Sequence, residues 1–105
     1  MARHTLGETM TSNASFPSAG LTWKGGKGTL DVIGAFDTAT ATLQTSINGG
    51  TTWVTVGSDT TFTTAGVGNF ELGGGDRSGS NTRKIRITIS SVGASTDLDA
   101  FVTEI

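Results

Sequence analysis

The sequence contains no cysteine and no tyrosine, one proline (Pro17) and one histidine (His4). Each shortage removes a class of explanation. Without cysteine there are no disulfides, no thiolate metal sites and no thiol nucleophile, so stability must come from a packed core or from assembly. His4 has no serine or cysteine arrangement around it, and a nucleophilic triad would lack its base unless the N-terminal segment folded back over the domain. Charge is sparse as well. Seven basic and nine acidic residues give a formal charge of -2, which is no electrostatic footprint for nucleic acid, and direct DNA or RNA binding is not expected. No apolar run approaches the roughly 20 residues of a membrane-spanning helix, and no window repeats apolar residues at helical spacing. The opening segment MARHTLGETMTSNASF has no apolar stretch behind Arg3. It does not read as a secretory signal, and the maker's cytoplasm is the expected site of synthesis.

What the sequence has in abundance is threonine and glycine, 20 and 16 of 105 residues. Threonine suits a pleated, half-buried surface and glycine supplies turns, so the composition predicts many strands with tight connections around one core. The alternation of residues agrees. Leu30, Val32, Gly34 and Phe36 share one face of a strand, with Ile33 on the other face hinting at cover on both sides. Ala39, Ala41, Leu43, Thr45 and Ile47 share a face, as do Ile85, Ile87 and Ile89, and Leu98, Ala100 and Val102. Residues 1–19 are polar, with only Leu6, Met10 and Phe16 as isolated apolar positions before Pro17. They read as an extended N-terminal arm or edge segment before a domain spanning 20–105, one that a neighbour could order, because they hold too little apolar surface to offset their own ordering entropy. The expected fold is all-β, an antiparallel β-sandwich of jelly-roll type with roughly seven to eight short strands.

The most specific local pattern is Ser46-Ile47-Asn48-Gly49-Gly50-Thr51-Thr52-Trp53. It resembles the Asp-box hairpin of sialidase-type propellers, with Asn48 in place of the aspartate. Asn48 is positioned to bond turn amides, the glycines accept positive φ, and Trp53 can pack across the hairpin; the expected role of Ser46, Asn48, Gly50 and Trp53 is structural. GGKGTL around Lys27 lacks the spacing and the following helix of a phosphate loop. Asp97 and Asp99, with Asp31 or Asp37, offer oxygen ligands without the spacing of an EF-hand, and solvated strand ends explain them. Arg83, Lys84 and Arg86 read as a charged strand guarding a sheet edge. No acid, base and nucleophile assemble from these residues, so an enzyme is not expected, and no cofactor or metal site is assigned.

From Lys24 onward the order is a glycine-rich turn, the strand GTLDVIGAFDTATATLQTSI, the turn NGG, the strand TTWVTVG and later TRKIRITIS. This texture resembles small β-sandwich structural proteins of tailed bacteriophage virions, most of all head decoration or cement proteins. The resemblance implies a non-enzymatic protein on the capsid exterior, commonly trimeric, with the major capsid protein as partner and an arm as the clamp. On this chain the implied capsid or subunit contacts are Leu6, Met10, Phe16 and Trp23. The competing expectation is a tail or fibre module that stacks a host glycan on Trp23 or Trp53.

Overall fold

The structure is a computed structural model and describes residues 3–74 and 83–105. The glycine- and serine-rich run of residues 73–81 therefore lies, beyond Gly74, outside the described residues. Nine strands form two antiparallel sheets: β1 Arg3–Met10, β2 Ala14–Thr22, β3 Gly26–Ala35, β4 Thr40–Ser46, β5 Val54–Thr55, β6 Thr61–Phe62, β7 Gly66–Leu72, β8 Lys84–Ser90 and β9 Asp97–Glu104. A 3₁₀ turn at Ser58–Thr60 precedes β6. Among the described residues there is no α-helix, and none is long and apolar enough to cross a membrane.

One sheet has the order β1-β9-β3-β7, and the other β2-β8-β4-β5, with β6 also on β4. The pairing has a simple rule. β1 pairs with β9, β2 with β8, β3 with β7, and β4 with the two short returning strands β5 and β6. The chain is thus one long antiparallel ribbon, rolled so that β3 also pairs with β9 and β4 with β8. Counting β5 and β6 as one interrupted strand gives the eight-stranded jelly roll.

The alternation read from the sequence decides which face turns inward. Leu30 and Val32 of β3 and Leu98, Ala100 and Val102 of β9 face Ala41 and Leu43 of β4 and the three isoleucines of β8, and all are buried. Ile33 is the exception to the expected cover, being 48% exposed on the outer face. Ile47 lies beyond the end of β4 and is also exposed.

The N-terminal arm is corrected by the structure. Residues 3–10 form the edge strand of one sheet, and β2 runs without a break across the expected boundary at 19/20 to form the edge of the other. Leu6 and Met10 are 3% and 0% exposed, so two scattered apolar residues suffice once they reach the space between the sheets. In a regular strand residues 6, 8 and 10 would share one face; register shifts on both sides of Gly7 and a left-handed Thr9 (φ 52°) break that pattern. Glu8 is exposed between the two.

The termini of the ribbon meet at one end of the sandwich. His4 Nε2 donates to Glu104 Oε2 across β1 and β9, and Lys24 Nζ lies 3.5 Å from Glu104 Oε1. The His4 hydrogen bond, aided by the Lys24 charge and opposed by desolvation, holds the Glu104 carboxyl below its ordinary value. A lowered carboxyl contributes stability above its unfolded pKa, and the contribution is lost as pH falls through the folded one.

Two expected outcomes follow from this architecture. Met10→Ala should lose about 2–5 kcal/mol in urea unfolding, and Glu8→Ala at most about 0.5 kcal/mol; an arm outside the core would leave both unchanged. Glu104→Gln should unfold at lower temperature than the parent protein above the ordinary carboxylate range, with the gap closing on acidification. A gap independent of pH would contradict the linkage.

Candidate functional site

The four residues expected to touch a capsid or a neighbouring subunit are all committed to the fold. Leu6, Met10 and Trp23 are buried, and the half-buried Phe16 packs against the core. Trp23 stacks at a tilt on Phe70, with ring centroids 5.1 Å apart, and its backbone N–H donates to Arg83 O. Its indole Nε1 has no hydrogen-bond partner among the described residues. Three of the four are thus turned into the core, and Phe16 keeps part of its ring exposed on the edge strand β2.

The Ser46–Trp53 segment is a closed hydrogen-bonded unit. Ser46 Oγ donates to Asn48 Oδ1 at 2.8 Å and accepts from Gly50 N at 2.9 Å, while Thr52 N donates to Asn48 Oδ1 at 2.9 Å. Gly49 and Gly50 adopt φ of 75° and 100°, a region costly for other residues. Trp53 Nε1 donates back to Gly50 O at 2.9 Å, tying the ring to the turn. Ser46 and Asn48 spend their polar atoms inside the turn rather than on a ligand.

Trp53 also faces the outer surface of the five-stranded sheet. The Arg86 guanidinium lies 4.2 Å from its ring centroid, and Arg86 Nε donates to Gln44 Oε1 at 2.8 Å. Thr88 Oγ1 donates to the same oxygen, and Ser15 shares a 2.9 Å hydrogen bond with Thr88. Partial burial lowers the Arg86 pKa from its ordinary value. This strand was expected to guard an edge. Instead β8 is central, between β2 and β4, and Arg86 organises a face rather than blocking a border.

Two of the four acids considered as cation ligands accept hydrogen bonds from backbone amides. Asp99 Oδ1 accepts from Thr9 N at 2.8 Å, and Asp37 Oδ2 accepts from Ser95 N at 3.0 Å. Among the described residues no three acidic or histidine side chains gather as a metal site would require.

The outer face of the four-stranded sheet is different in kind. Asp31 pairs with Phe101 on one side and with Val67 on the other, and Ile33 follows two positions along the same face. Val67 is 67% exposed, Ile33 is 48% exposed and Phe101 is half-buried. Arg3 closes over the Phe101 ring, 4.9 Å from its centroid. The result is a small apolar centre, Ile33, Val67 and Phe101, carried on three adjacent strands and interrupted by Asp31. The sequence signal was Ile33, an apolar residue on the polar side of its strand; its neighbours could not be known before the strand order.

Comparison with known proteins finds no matching family model, no matching curated protein and no matching solved structure.

The hairpin geometry carries its own prediction. Asn48→Ala removes an acceptor shared by Ser46 Oγ and Thr52 N and should cost about 1–3 kcal/mol in thermal or urea unfolding. Asn48→Asp keeps the acceptor and should retain most of the stability. Equal losses in the two variants would show that the side chain acts through something other than these bonds.

Proposed function

We propose that this protein is a structural component of a tailed-phage virion that decorates and stabilises the capsid exterior, with the major capsid protein as its partner. The observation that carries the reading is the apolar centre at Ile33, Val67 and Phe101 on the outer face of the four-stranded sheet. Exposed aliphatic residues scattered singly are ordinary, but here two of them, Ile33 and Val67, gather with the half-buried Phe101 around Asp31 on three adjacent strands, and such clustering supports a contact surface. A sheet face is also rigid, so docking orders few side chains, and many identical weak contacts on one shell add through avidity.

The reading differs from the family resemblance in one respect. The proposal does not use residues 1–19 as a clamping arm, because residues 3–10 form β1 and residues 14–19 belong to β2. The resemblance also implies a trimer, and the present proposal rests on the sheet face alone. The competing reading, a tail or fibre module holding a host glycan, loses Trp23 to the core and keeps Trp53, one face of which carries Arg86.

The test is reconstitution. Purified protein mixed with undecorated capsids should bind at a fixed copy number per capsid subunit, and Ile33→Glu should abolish binding while leaving the unfolding temperature unchanged. Protein that ignores capsids, or an Ile33→Glu variant that binds like the parent, would overturn the proposal.

A further inference from the structure

The four edges of the two sheets are not alike. β1 is broken by register shifts on both sides of Gly7 and by the left-handed Thr9. β2 carries Pro17, a register shift between Phe16 and Leu21, and a left-handed Gly20 (φ 82°). The fourth edge of the molecule, opposite β2, is made of β5 and β6, which are two residues long each. Bulges, proline and very short strands are the devices by which proteins keep an edge from pairing with another chain. The remaining edge, β7, has none of them. Its seven residues pair one for one with Gly26–Val32 of β3 without a shift, and they include no proline, lysine or arginine.

An antiparallel strand turns the N–H and C=O of every second residue away from its neighbour. On β7 those groups meet no backbone partner among the described residues. The 3₁₀ turn Ser58–Thr60 does pack against β7, but on its core side, beneath Gly68, where a side chain would collide with Asp59 O and the Phe62 ring. Thr60 is buried there, while Ser58 and Asp59 stay exposed at the rim of the sandwich. Two shallow grooves reach the strand at Asn69, Phe70 and Glu71, one beside Lys27 and Ile105 and the other beside Gly57–Thr60. The second half of β7 is thus approachable from both sides.

We infer that β7 is a self-pairing edge, at which a second copy of this chain adds its own β7 antiparallel across a two-fold axis. Full overlap of the strand fixes the register with Asn69 opposite Asn69 of the second copy. Val67 then lies opposite Glu71, and Gly68 opposite Phe70. The strand's one charge, Glu71, meets an apolar residue instead of its like, and the two Glu71 side chains are four positions apart. The arrangement is also closed. Each copy uses the one edge that, among the described residues, carries no bulge, proline or shortened strand, so two four-stranded sheets become one of eight strands with no free β7 left for further growth. Pairing places the Ile33, Val67 and Phe101 patches of both copies on one continuous outer face, which would strengthen shell docking through bivalency. The dimer itself does not depend on that docking, and it is read on free protein, so failure of either idea leaves the other standing.

The absence of cysteine makes the register directly testable. Facing residues of an antiparallel pair have Cα atoms about 4.5–5.5 Å apart, within disulfide reach. Under mild oxidation Asn69→Cys should give a covalent dimer, and an equimolar mixture of Val67→Cys and Glu71→Cys should give the mixed dimer ahead of either homodimer. Thr29→Cys, on the same face but one strand inward, should remain monomeric. In parallel, sedimentation of the parent protein should show a concentration-dependent doubling of mass, which Asn69→Lys abolishes at unchanged unfolding temperature. A parent that stays monomeric across the concentration series, or Thr29→Cys cross-linking as readily as Asn69→Cys, would overturn the inference.

Discussion

The pairing of β1 with β9 closes the ribbon, and the rest of the sandwich leans on that closure. It joins Arg3 to Thr103 and His4 to Val102, residues near opposite ends of the chain. Bringing such distant segments together carries a loop-closure cost that grows slowly with length, so a few well-buried contacts can offset it. Leu6 and Met10 supply those contacts by entering the space between the sheets. With β1 in place, β9 is flanked on both sides and its inward Leu98, Ala100 and Val102 are fully buried. Nested pairings of this kind are long in range, and folds dominated by them form more slowly than helical domains of equal size.

Much of this architecture was legible where strict alternation held. The isoleucines of β8 and the Leu30 and Val32 pair of β3 announce an inward face without any knowledge of neighbours. The N-terminal segment was misread for a specific reason. Its inward residues are separated by bulges at Gly7 and Thr9 in β1, and by the Pro17–Gly20 irregularity in β2, so a period of two never appears. Strand order was equally invisible. Lys84 and Arg86 look like edge guards in the sequence, and only the neighbours β2 and β4 show that they lie mid-sheet. The Ser46–Trp53 turn was readable because its hydrogen bonds are local and its residue spacing encodes them.

The two outer faces now carry the functional argument that the arm was expected to carry. The five-stranded sheet presents Arg86 held between Trp53 and Gln44, a polar face organised by hydrogen bonds. The four-stranded sheet presents Ile33, Val67 and Phe101 and ends in β7, the edge we infer to be self-pairing. Contact chemistry and open edge therefore fall on the same sheet. Ile33 contributes little to the stability of the monomer from its exposed position, and the proposed docking contact is what would give it a role.

The central claim is that residues 3–10 are part of the cooperative fold and are not an arm held in reserve for the shell. Native-state hydrogen exchange on the free protein tests it most directly, since exchange reports the opening free energy of each ladder separately. The account predicts that the β1 amides bonded to β9 are protected in common with those of β3, β8 and β9. Exchange of the β1 amides at the rate of an unstructured peptide, with the other strands still protected, would contradict it.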